Sequence, residues 1–468
     1  MMFKNVEFRI VQGENQSRSS AWSSQACVNL YTDMQRSGRT ESALMPWPGE
    51  KAFSAGTAGT KTRGFRVVGG VPYILTDRNL YKINEDGTQS FIADVPGNNF
   101  VSMADDGFNL VMRNEGSVAF INQKFVFAGD GPTYIWNTQR LSTIAVPSMV
   151  NPGEYVSTQV DSTTLFNEIG EARLLGDDTL QVYAFQKKII MAGTRSIEIY
   201  YDDGSTPQPI NPVPQAATNQ IGVASKLSMA ETADFLYMLG ADGLVYRLVN
   251  FDLVPVSTSA IAKELDAAYT TDATGFTCQL DGQWFYIIQL PNDNLTLCFS
   301  EKTNEWSRIS TGATQPIAAH LIAGYGNAYG KRLIAASASS DVYEWDFNTY
   351  TSNSNPLIRQ FQTAPINGAM LGAVGQRLVG NKVRFIMQTG VGNTTIKNPK
   401  MMAQYSIDGG KTFSQEYWLD MEREGESTAL VDWYLDTTFY DIMFKVRVSD
   451  ACFVSFHSCS IEVKPAGY

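Results

Sequence analysis

The stretch Phe235–Leu248, FLYMLGADGLVYRL, carries the pattern that decides the fold. A run of apolar residues leads into Gly240-Ala-Asp-Gly243, and an alternating strand, Leu244–Leu248, leads out. Asp-Gly between two apolar runs is typical of a β-hairpin, because glycine accepts the positive φ angle that a tight turn requires. The sequence therefore predicts two antiparallel strands here.

Six further stretches repeat this pattern, each pairing an apolar strand with a second strand that ends in an aromatic or bulky residue. They are Tyr73–Ile83, Leu110–Phe120, Phe125–Trp136, Ile189–Tyr201, Phe285–Phe299 and Leu333–Trp345. Where they are regular, they start about 37 to 50 residues apart, close to the length of a four-stranded propeller blade. Blades arranged in a ring cover each other's apolar faces. We therefore predict an all-β fold, a β-propeller of about six irregular blades followed by a C-terminal antiparallel β-sandwich.

Changes in this rhythm divide the 468-residue chain into three parts. Residues 1–60 are expected to wrap the body or to supply an edge strand, since Pro46 and Pro48 disfavour a central strand. Residues 61–352 form the predicted propeller. A linker is expected around 351–356, and residues 353–468 alternate with a period of two, which is typical of a sandwich.

Two excursions interrupt the propeller. The stretch 147–178 reads as an insertion, either a contact surface or a solvated loop. Four prolines between 207 and 214 favour an extended arm. The most convincing helix follows Ser257 and Thr258, whose hydroxyls suit helix capping, and the spacing of Ile261 and Leu265 predicts that it packs between two blades.

Composition and charge exclude several classes of protein. With 44% hydrophobic and 18% charged residues, the chain is not expected to be disordered. A net charge of −11, with no basic run longer than Lys187-Lys188, lacks the footprint of a protein that reads DNA sequence. The chain shows neither a signal peptide nor an apolar run of about 20 residues, so we expect no membrane insertion. The odd number of cysteines, without C-x-x-C spacing, predicts buried thiols in a reducing cytoplasm: Cys27, Cys278, Cys298, Cys452 and Cys459.

The sharpest local motif has the S-x-D-x-G-x-T-F form of an Asp-box hairpin. Its residues are Ser406, Asp408, Gly410, Thr412 and Phe413. The Asp408 carboxylate is suited to accept N–H groups across the turn, while glycine supplies the permissive φ angle and Phe413 packs beneath. The motif therefore predicts a structural staple for the turn, with a ligand site as the less favoured interpretation.

A glycosidase is the enzyme hypothesis that this motif raises. Phe8-Arg9-Ile10 resembles the start of the sialidase F-R-I-P motif, but Val11 stands where proline belongs. Glycoside hydrolysis needs carboxylates, or a tyrosine and a carboxylate, in one cleft. The acidic cluster that could supply these carboxylates lies in a polar turn, which predicts a solvent-exposed surface rather than a catalytic cleft. Its residues are Glu422, Glu424 and Glu426.

Other catalytic chemistries find even less support. The two histidines, His320 and His457, fall in different predicted domains, which disfavours a zinc site or a Ser-His-Asp triad. Residues 292–294 and 105–107 fall short of a calcium loop, so both are predicted to be turns. No phosphate-binding loop is found. We therefore predict a protein that is not an enzyme and that has no catalytic residue, metal or cofactor.

A further set of motifs follows one another in a consistent order over roughly residues 25–465. They are Val101–Asp105 with Leu110-Val111, Thr194–Tyr200, Gln220–Lys226, Pro255–Ile261 with Leu265 and Tyr269, Phe444–Ser449 and Cys459–Ile461. In these motifs and their order the chain resembles the packaged-DNA stabilisation proteins, the tail-hub or nozzle proteins of short-tailed bacteriophages. Residues 135–180 depart from the family pattern.

The resemblance implies a structural virion protein, assembled in the host cytoplasm into a homo-hexameric ring beneath the portal and its adaptor ring. Such a ring extends the DNA channel, helps to retain packaged DNA, seats a tail needle or plug and anchors tailspikes or fibres. An acidic balance suits a channel through which DNA must slide without specific binding. Two alternatives remain: a carbohydrate-binding or sialidase-like, glycan-cleaving propeller, and an adhesin-type propeller outside any virion.

Overall fold

The computed structural model describes residues 3–8, 10, 13–20, 23–35, 40–129, 132–136, 141–144, 154–160, 162, 170–171, 176–205, 209–213, 219–312, 318–371, 374–388, 396–421 and 429–466. Within these residues the fold is almost entirely β. The exceptions are the helix Ser259–Ala267, labelled α1, and two short 3₁₀ turns, Pro291–Asp293 and Gly368–Leu371.

Seven antiparallel sheets of the described chain form the blades of a propeller, one more than the approximate number predicted. Blades 1 to 3 contain the following strands, from the axis outwards. Blade 1 has Thr62–Val68, Val71–Thr76, Asn79–Ile83 and Gln89–Asp94; blade 2 has Val101–Asp105, Leu110–Asn114, Thr133–Trp136 and Leu141–Ile144; blade 3 has Gly116–Ile121, Lys124–Gly129, Glu154–Ser157 and Gly170–Glu171.

Blades 4 to 7 complete the ring. Blade 4 has Thr179–Phe185, Lys188–Gly193, Ile197–Asp202 and Ile210–Pro212; blade 5 has Ala230–Glu231, Leu236–Leu239, Val245–Val249 and Asp252–Pro255; blade 6 has Thr274–Leu280, Gln283–Leu290, Leu295–Ser300 and Glu305–Arg308; blade 7 has Ile322–Ala328, Lys331–Ala336, Val342–Asp346 and Gly49–Ser54. The outer strand of blade 7 thus comes from the N-terminal segment, which joins the two ends of the propeller.

An apolar cluster lies between each pair of neighbouring blades, including blades 7 and 1. This is the mutual burial that the repeat predicts, and it closes the ring. At the axis the inner strands approach each other so closely that glycine is required. A Cβ atom on Gly326 would lie 2.4 Å from the Val67 side chain, so a larger residue would push blades 7 and 1 apart.

Blades 2 and 3 are interleaved along the chain. After two strands of blade 2 the chain builds two strands of blade 3, returns to finish blade 2, and then finishes blade 3. Arg113 lies at the crossing and is 1% exposed. Its guanidinium donates to the Thr133 hydroxyl at 2.7 Å and to the carbonyls of Ala128 and Gly129, which tie the two blades together.

Two of the seven predicted hairpins are therefore wrong. The strands within Leu110–Phe120 belong to different blades, and so do those within Phe125–Trp136. The other five pair as predicted. The predicted insertion, residues 147–178, contains the two outer strands of blade 3, and much of the remainder lies outside the described residues. In the predicted proline arm, Pro207 and Pro214 also lie outside the described residues.

The C-terminal part of the chain is a β-sandwich that also takes strands from the N-terminal segment. Sheet A contains Leu30–Met34, Ser42–Pro46, Ser455–Pro465, Leu378–Gln388 and Ala429–Phe439, with Lys4–Phe8 beside Ser455–Pro465. Sheet B contains Ser24–Val28, Arg359–Gln362, Asp441–Val448, Lys400–Ser406 and Tyr417–Asp420, with the short strands Asn15–Gln16 and Ile366–Asn367 at its sides. One large apolar cluster fills the space between the sheets.

Short strands decorate the outer edges. Thr351–Ser352 and Asn355–Pro356 form a small hairpin on blade 7 where a linker was expected, and Ser310–Thr311 pairs with Ala318–Ala319 after blade 6. Helix α1 begins after Thr258, whose hydroxyl accepts the Ile261 N–H. Ile261 and Leu265 are buried in the cluster between blades 5 and 6, in agreement with the prediction from the sequence.

Candidate functional site

The turn predicted as an Asp box joins two strands of sheet B. The Asp408 carboxylate accepts hydrogen bonds from the Thr412 N–H at 3.0 Å and from the Thr412 hydroxyl at 2.6 Å. Ser406 Oγ donates to Asp408 at 2.7 Å and accepts the Gly410 N–H at 2.9 Å. These polar groups therefore form hydrogen bonds within the turn itself.

These hydrogen bonds stabilise the charged form of the Asp408 carboxylate. Hydrogen bonds from Thr412 and Ser406 lower the pKa of Asp408 well below its usual value. Gly410 has a φ angle of 83°, which a side chain would disfavour. Phe413 is half-buried and packs against Lys445, whose Nζ lies 5.1 Å from the ring centroid. This arrangement is that of a staple for the turn.

Of the residues of the glycosidase hypothesis, only Phe8 and Ile10 lie within the described part of the chain. Phe8 is buried in the sandwich core, where its ring stacks on Phe444 at a centroid distance of 5.8 Å, and Ile10 belongs to the same core. Arg9 and the three glutamates at 422, 424 and 426 lie outside the described residues. Phe8 and Ile10 are thus packing residues.

The two histidines lie apart, in the propeller and in the sandwich. His320 precedes the inner strand of blade 7 and forms a buried ion pair with Glu50 on the outer strand of that blade. His457 Nε2 lies 2.9 Å from Ser455 Oγ in sheet A. Within the described ranges, no group of three or more His, Cys, Asp or Glu side chains is placed to hold a metal ion.

The predicted turns and thiols are also accounted for. Asp106 accepts the Phe108 N–H at 2.9 Å, and Asp293 accepts the Tyr269 N–H at 2.7 Å, so each acidic group serves a turn or a loop contact. All five cysteines are free and buried. Burial raises the pKa of each thiol, to about 11 for Cys452, and so disfavours the reactive thiolate.

The propeller and the sandwich share one continuous sheet. Strand Ser24–Val28 of sheet B pairs with the outer strand of blade 6 through Val28 and Arg308. Asn29 then fixes the junction: its Nδ2 donates to the carbonyls of Ser310 at 2.8 Å and Ile358 at 2.7 Å, and its Oδ1 accepts the Ser310 N–H at 2.9 Å. The side chain of one buried residue thus bonds blade 6 to the sandwich.

A buried ionic cluster reinforces the same junction. Glu14 accepts the Cys27 N–H at 2.9 Å and lies 3.1 Å from Arg308 Nε. Arg308 also pairs with Glu264 of helix α1. Burial raises the pKa of Glu14, although the charge of Arg308 opposes the shift. The N-terminal segment, blade 6 and helix α1 therefore share one network of charges.

Sequence reasoning missed this junction. Asn29 interrupts an apolar run, Ala26–Tyr31, and adopts a φ angle of 54°. An asparagine at such a place favours the left-handed conformation, which is a local signal for a special backbone position. Its bonding partners lie 281 and 329 residues further along the chain, so no local pattern identifies them.

An open cavity of about 610 Å³ lies at the propeller axis, surrounded by the inner strands. Arg66 of blade 1 pairs with Asp105 of blade 2 at 2.7 Å, and the exposed Glu231 of blade 5 lines the same cavity as Arg66. Half-buried aromatic side chains, including Phe276 and Trp284 of blade 6, form part of the wall. The axis is therefore a small, mixed polar and aromatic pocket.

The fold and its two parts match known family models. Residues 6–350 match the model described as bacteriophage P22 Gp10, β-propeller, and residues 366–464 match the model described as bacteriophage P22 Gp10, β-sandwich. The chain belongs to the bacteriophage P22 Gp10 family. It is therefore a structural protein of the phage tail, a virion component, and both the family and the fold class predicted from the sequence are confirmed. No curated protein sequence matches the chain as a relative.

Solved structures resemble the chain only weakly. The extracellular domain of the hybrid two-component system BT4673 of B. thetaiotaomicron is 8% identical, with a TM-score of 0.39 over 72% of this chain and 43% of that one. PorZ of the type-IX secretion system of Porphyromonas gingivalis is 12% identical, with a TM-score of 0.36 over 80% and 46%. YCF48 bound to D1 peptide is 10% identical, with a TM-score of 0.36 over 64% and 99%.

The chain thus spans under half the length of the first two of these structures, and TM-scores below 0.5 carry no functional argument. No helix in the described part of the Gp10-family chain is both long and apolar enough to cross a bilayer.

Proposed function

We propose that this Gp10-family protein is a subunit of the tail hub, a homo-hexameric ring beneath the portal and its adaptor ring. The ring extends the DNA channel and helps to retain packaged DNA. It also seats a needle or plug and anchors tailspikes or fibres, and it assembles in the host cytoplasm. The observation that carries the proposal is the match of both domains, in order, to the family of P22 Gp10.

The connection between the domains suits a part that bears load. The sheet of blade 6 continues into sheet B of the sandwich, and Asn29 bonds the two through three buried hydrogen bonds. A force applied to the sandwich is thereby transmitted to the propeller through backbone pairing rather than through a flexible linker. Such stiffness is what a ring under the pressure of packaged DNA requires.

Charge and dimensions suggest where DNA passes. The cavity at the axis of a single propeller has a volume of about 610 Å³, which is too little room for a duplex. The channel in our proposal is therefore the axis of the ring, enclosed by several copies. A net charge of −11 per chain would repel the phosphate backbone and let DNA slide.

Exposed aromatic side chains are candidates for contacts between subunits or with other tail proteins. Phe108 is 75% exposed on a turn of blade 2, and Tyr434 is 72% exposed on an outer strand of sheet A. Aromatic residues of this kind are enriched at protein interfaces. A closed ring needs two different complementary surfaces on each subunit, and these residues lie on different domains.

Assembly decides the proposal. Native mass spectrometry of the purified protein, alone and with portal–adaptor complexes from the same phage, should show a hexamer or its formation on the adaptor ring. Imaging of the particle should then place the ring between adaptor and needle. A protein that stays monomeric and ignores the adaptor, in buffers where the adaptor ring itself is intact, would refute the hub.

A further inference from the structure

The axial cavity is lined by both hydrogen-bond acceptors and donors. The amide oxygen of Gln181 has no hydrogen-bond partner among the described residues, although Gln181 is only 7% exposed. Glu231, which is exposed, and Lys226, which is half-buried, line the same cavity. An unpaired buried acceptor is unfavourable unless a ligand or water completes it.

Solvent reaches the cavity. The Arg66 side chain keeps 45% of its surface exposed, and Glu231 is exposed as well. The volume of about 610 Å³ falls inside the range of about 300–1,000 Å³ that is typical of small-molecule sites. The pocket is thus open and large enough for a ligand.

The side chains that line the axial cavity restrict the class of ligand that it can bind. Acceptors (Gln181 and Glu231) and a donor (Lys226) line the cavity together, so neither a simple cation nor a simple anion would bond to all of them. Half-buried rings line the same cavity, among them Phe276 and Trp284. A ligand that suits this wall donates and accepts hydrogen bonds through many small groups and presents an apolar face to aromatic rings.

We propose that the propeller axis binds a neutral saccharide. Hydroxyl groups of a sugar both donate and accept, and the C–H face of the ring stacks on aromatic side chains. In this arrangement Glu231 and Gln181 accept hydroxyl hydrogens, Lys226 donates to a hydroxyl oxygen, and Trp284 forms the stacking surface. The site binds the sugar and cleaves nothing. It goes beyond the hub function and belongs to a single chain, so hub assembly and sugar binding can fail independently.

Ligand-observed NMR on the intact protein tests the proposal. The probes are glucose, galactose, N-acetylglucosamine and maltose, with tetramethylammonium and inorganic phosphate as charged comparisons. At least one sugar should show saturation transfer, and Glu231→Ala and Trp284→Ala should each weaken its binding about tenfold or more, the loss of one charged hydrogen bond or one stacking contact. The matched controls are Glu85→Ala and Tyr269→Ala, which remove an exposed carboxylate and an exposed ring outside the cavity.

Each possible result of this experiment either supports or overturns the sugar site. A sugar signal that is weakened by both cavity variants and kept by both controls supports the site. Absence of a signal with all four sugars at tens of millimolar overturns the proposal, and so does sugar binding that neither cavity variant weakens. Binding of only tetramethylammonium or phosphate also overturns it, because the pocket would then be an ion site.

Discussion

The junction between propeller and sandwich can be opened by one substitution, Asn29→Ala. Asn29 is 1% exposed, and its side chain makes three hydrogen bonds of 2.7–2.9 Å to the backbone of Ser310 and Ile358. Truncation removes all three of these buried hydrogen bonds, at about 1 kcal/mol or more each. Alanine also tolerates the φ angle of 54° less well than asparagine, by about 1 kcal/mol. The variant should therefore lose at least about 4 kcal/mol of local stability.

Hydrogen exchange measured by mass spectrometry is the appropriate assay, because a chain with two domains need not unfold in one step. Since 1.4 kcal/mol corresponds to a factor of ten, amides of Ser24–Val28 and Glu305–Arg308 should exchange about a thousandfold faster in Asn29→Ala. Asn250→Ala is the matched control. Asn250 also has a positive φ angle, of 57°, but it is exposed and its side chain bonds to no described residue, so only the backbone effect of about 1 kcal/mol should appear.

Asn29→Gly separates the two contributions. Glycine accepts the φ angle but lacks the side chain, so it should recover only the backbone part, about 1 kcal/mol of the loss. The reasoning is refuted if Asn29→Ala exchanges at the junction no faster than Asn250→Ala. That result would mean that water or neighbouring groups replace the three bonds.

Three further predictions concern other polar groups. Replacing Arg113 by methionine removes its buried hydrogen bonds to Ala128, Gly129 and Thr133, so blades 2 and 3 should lose at least about 3 kcal/mol and lose exchange protection together; loss confined to blade 2 would contradict this. Asp408→Ala should speed exchange only within the Asp-box turn and leave oligomeric state unchanged, as native mass spectrometry would show. Burial opposes charge on both His320 and Glu50, yet Glu50 raises the pKa of His320 and His320 lowers the pKa of Glu50. Stability should therefore be greatest between about pH 4.5 and 6.5, and His320→Gln should reduce the fall in Tm that the natural protein shows as the pH rises above about 6.5.

The direction of that pH effect follows from linkage. A raised pKa of His320 contributes stability that is complete below the ordinary value of 6.5 and is lost as the pH rises through the raised pKa of the folded protein. A lowered pKa of Glu50 contributes stability that is present above 4.5 and is lost as the pH falls through the lowered pKa. If His320→Gln and the natural protein show parallel Tm curves from pH 5 to 8, the ion pair does not act this way.

Local sequence patterns predicted the positions of the strands well. They predicted which strands pair only where strands that are adjacent in sequence are also adjacent in the sheet. Phe235–Leu248 pairs as predicted, because its turn is tight and Gly243 takes a φ angle of 79°. The turn at Glu115 has a positive φ angle too, but there the chain passes from one blade to the next. Apolar strands on both sides of that turn look the same in either case, so the pattern cannot distinguish a hairpin from a crossing.

Of the two candidate sites, the Asp box and the axial cavity, the cavity was the less predictable. The Asp box, whose residues lie within eight positions of each other, was visible in the sequence with its hydrogen-bonding roles. Gln181, Glu231 and Trp284 come from three blade regions and meet only because the ring closes. Long-range closure of this kind depends on how many blades fit around the axis, and that number follows from packing rather than from any single repeat.

The pairing of Lys4–Phe8 with Ser455–Pro465 has a consequence for synthesis on the ribosome. Strand Lys4–Phe8 is translated long before its partner Ser455–Pro465, and Gly49–Ser54 likewise precedes its partner Val342–Asp346 by most of the propeller. Until their partners are made, these early segments are unpaired edges, open to association with neighbouring nascent chains. Production of this protein should therefore benefit from slow expression at low temperature and from chaperones that shield these early strands until their partners emerge.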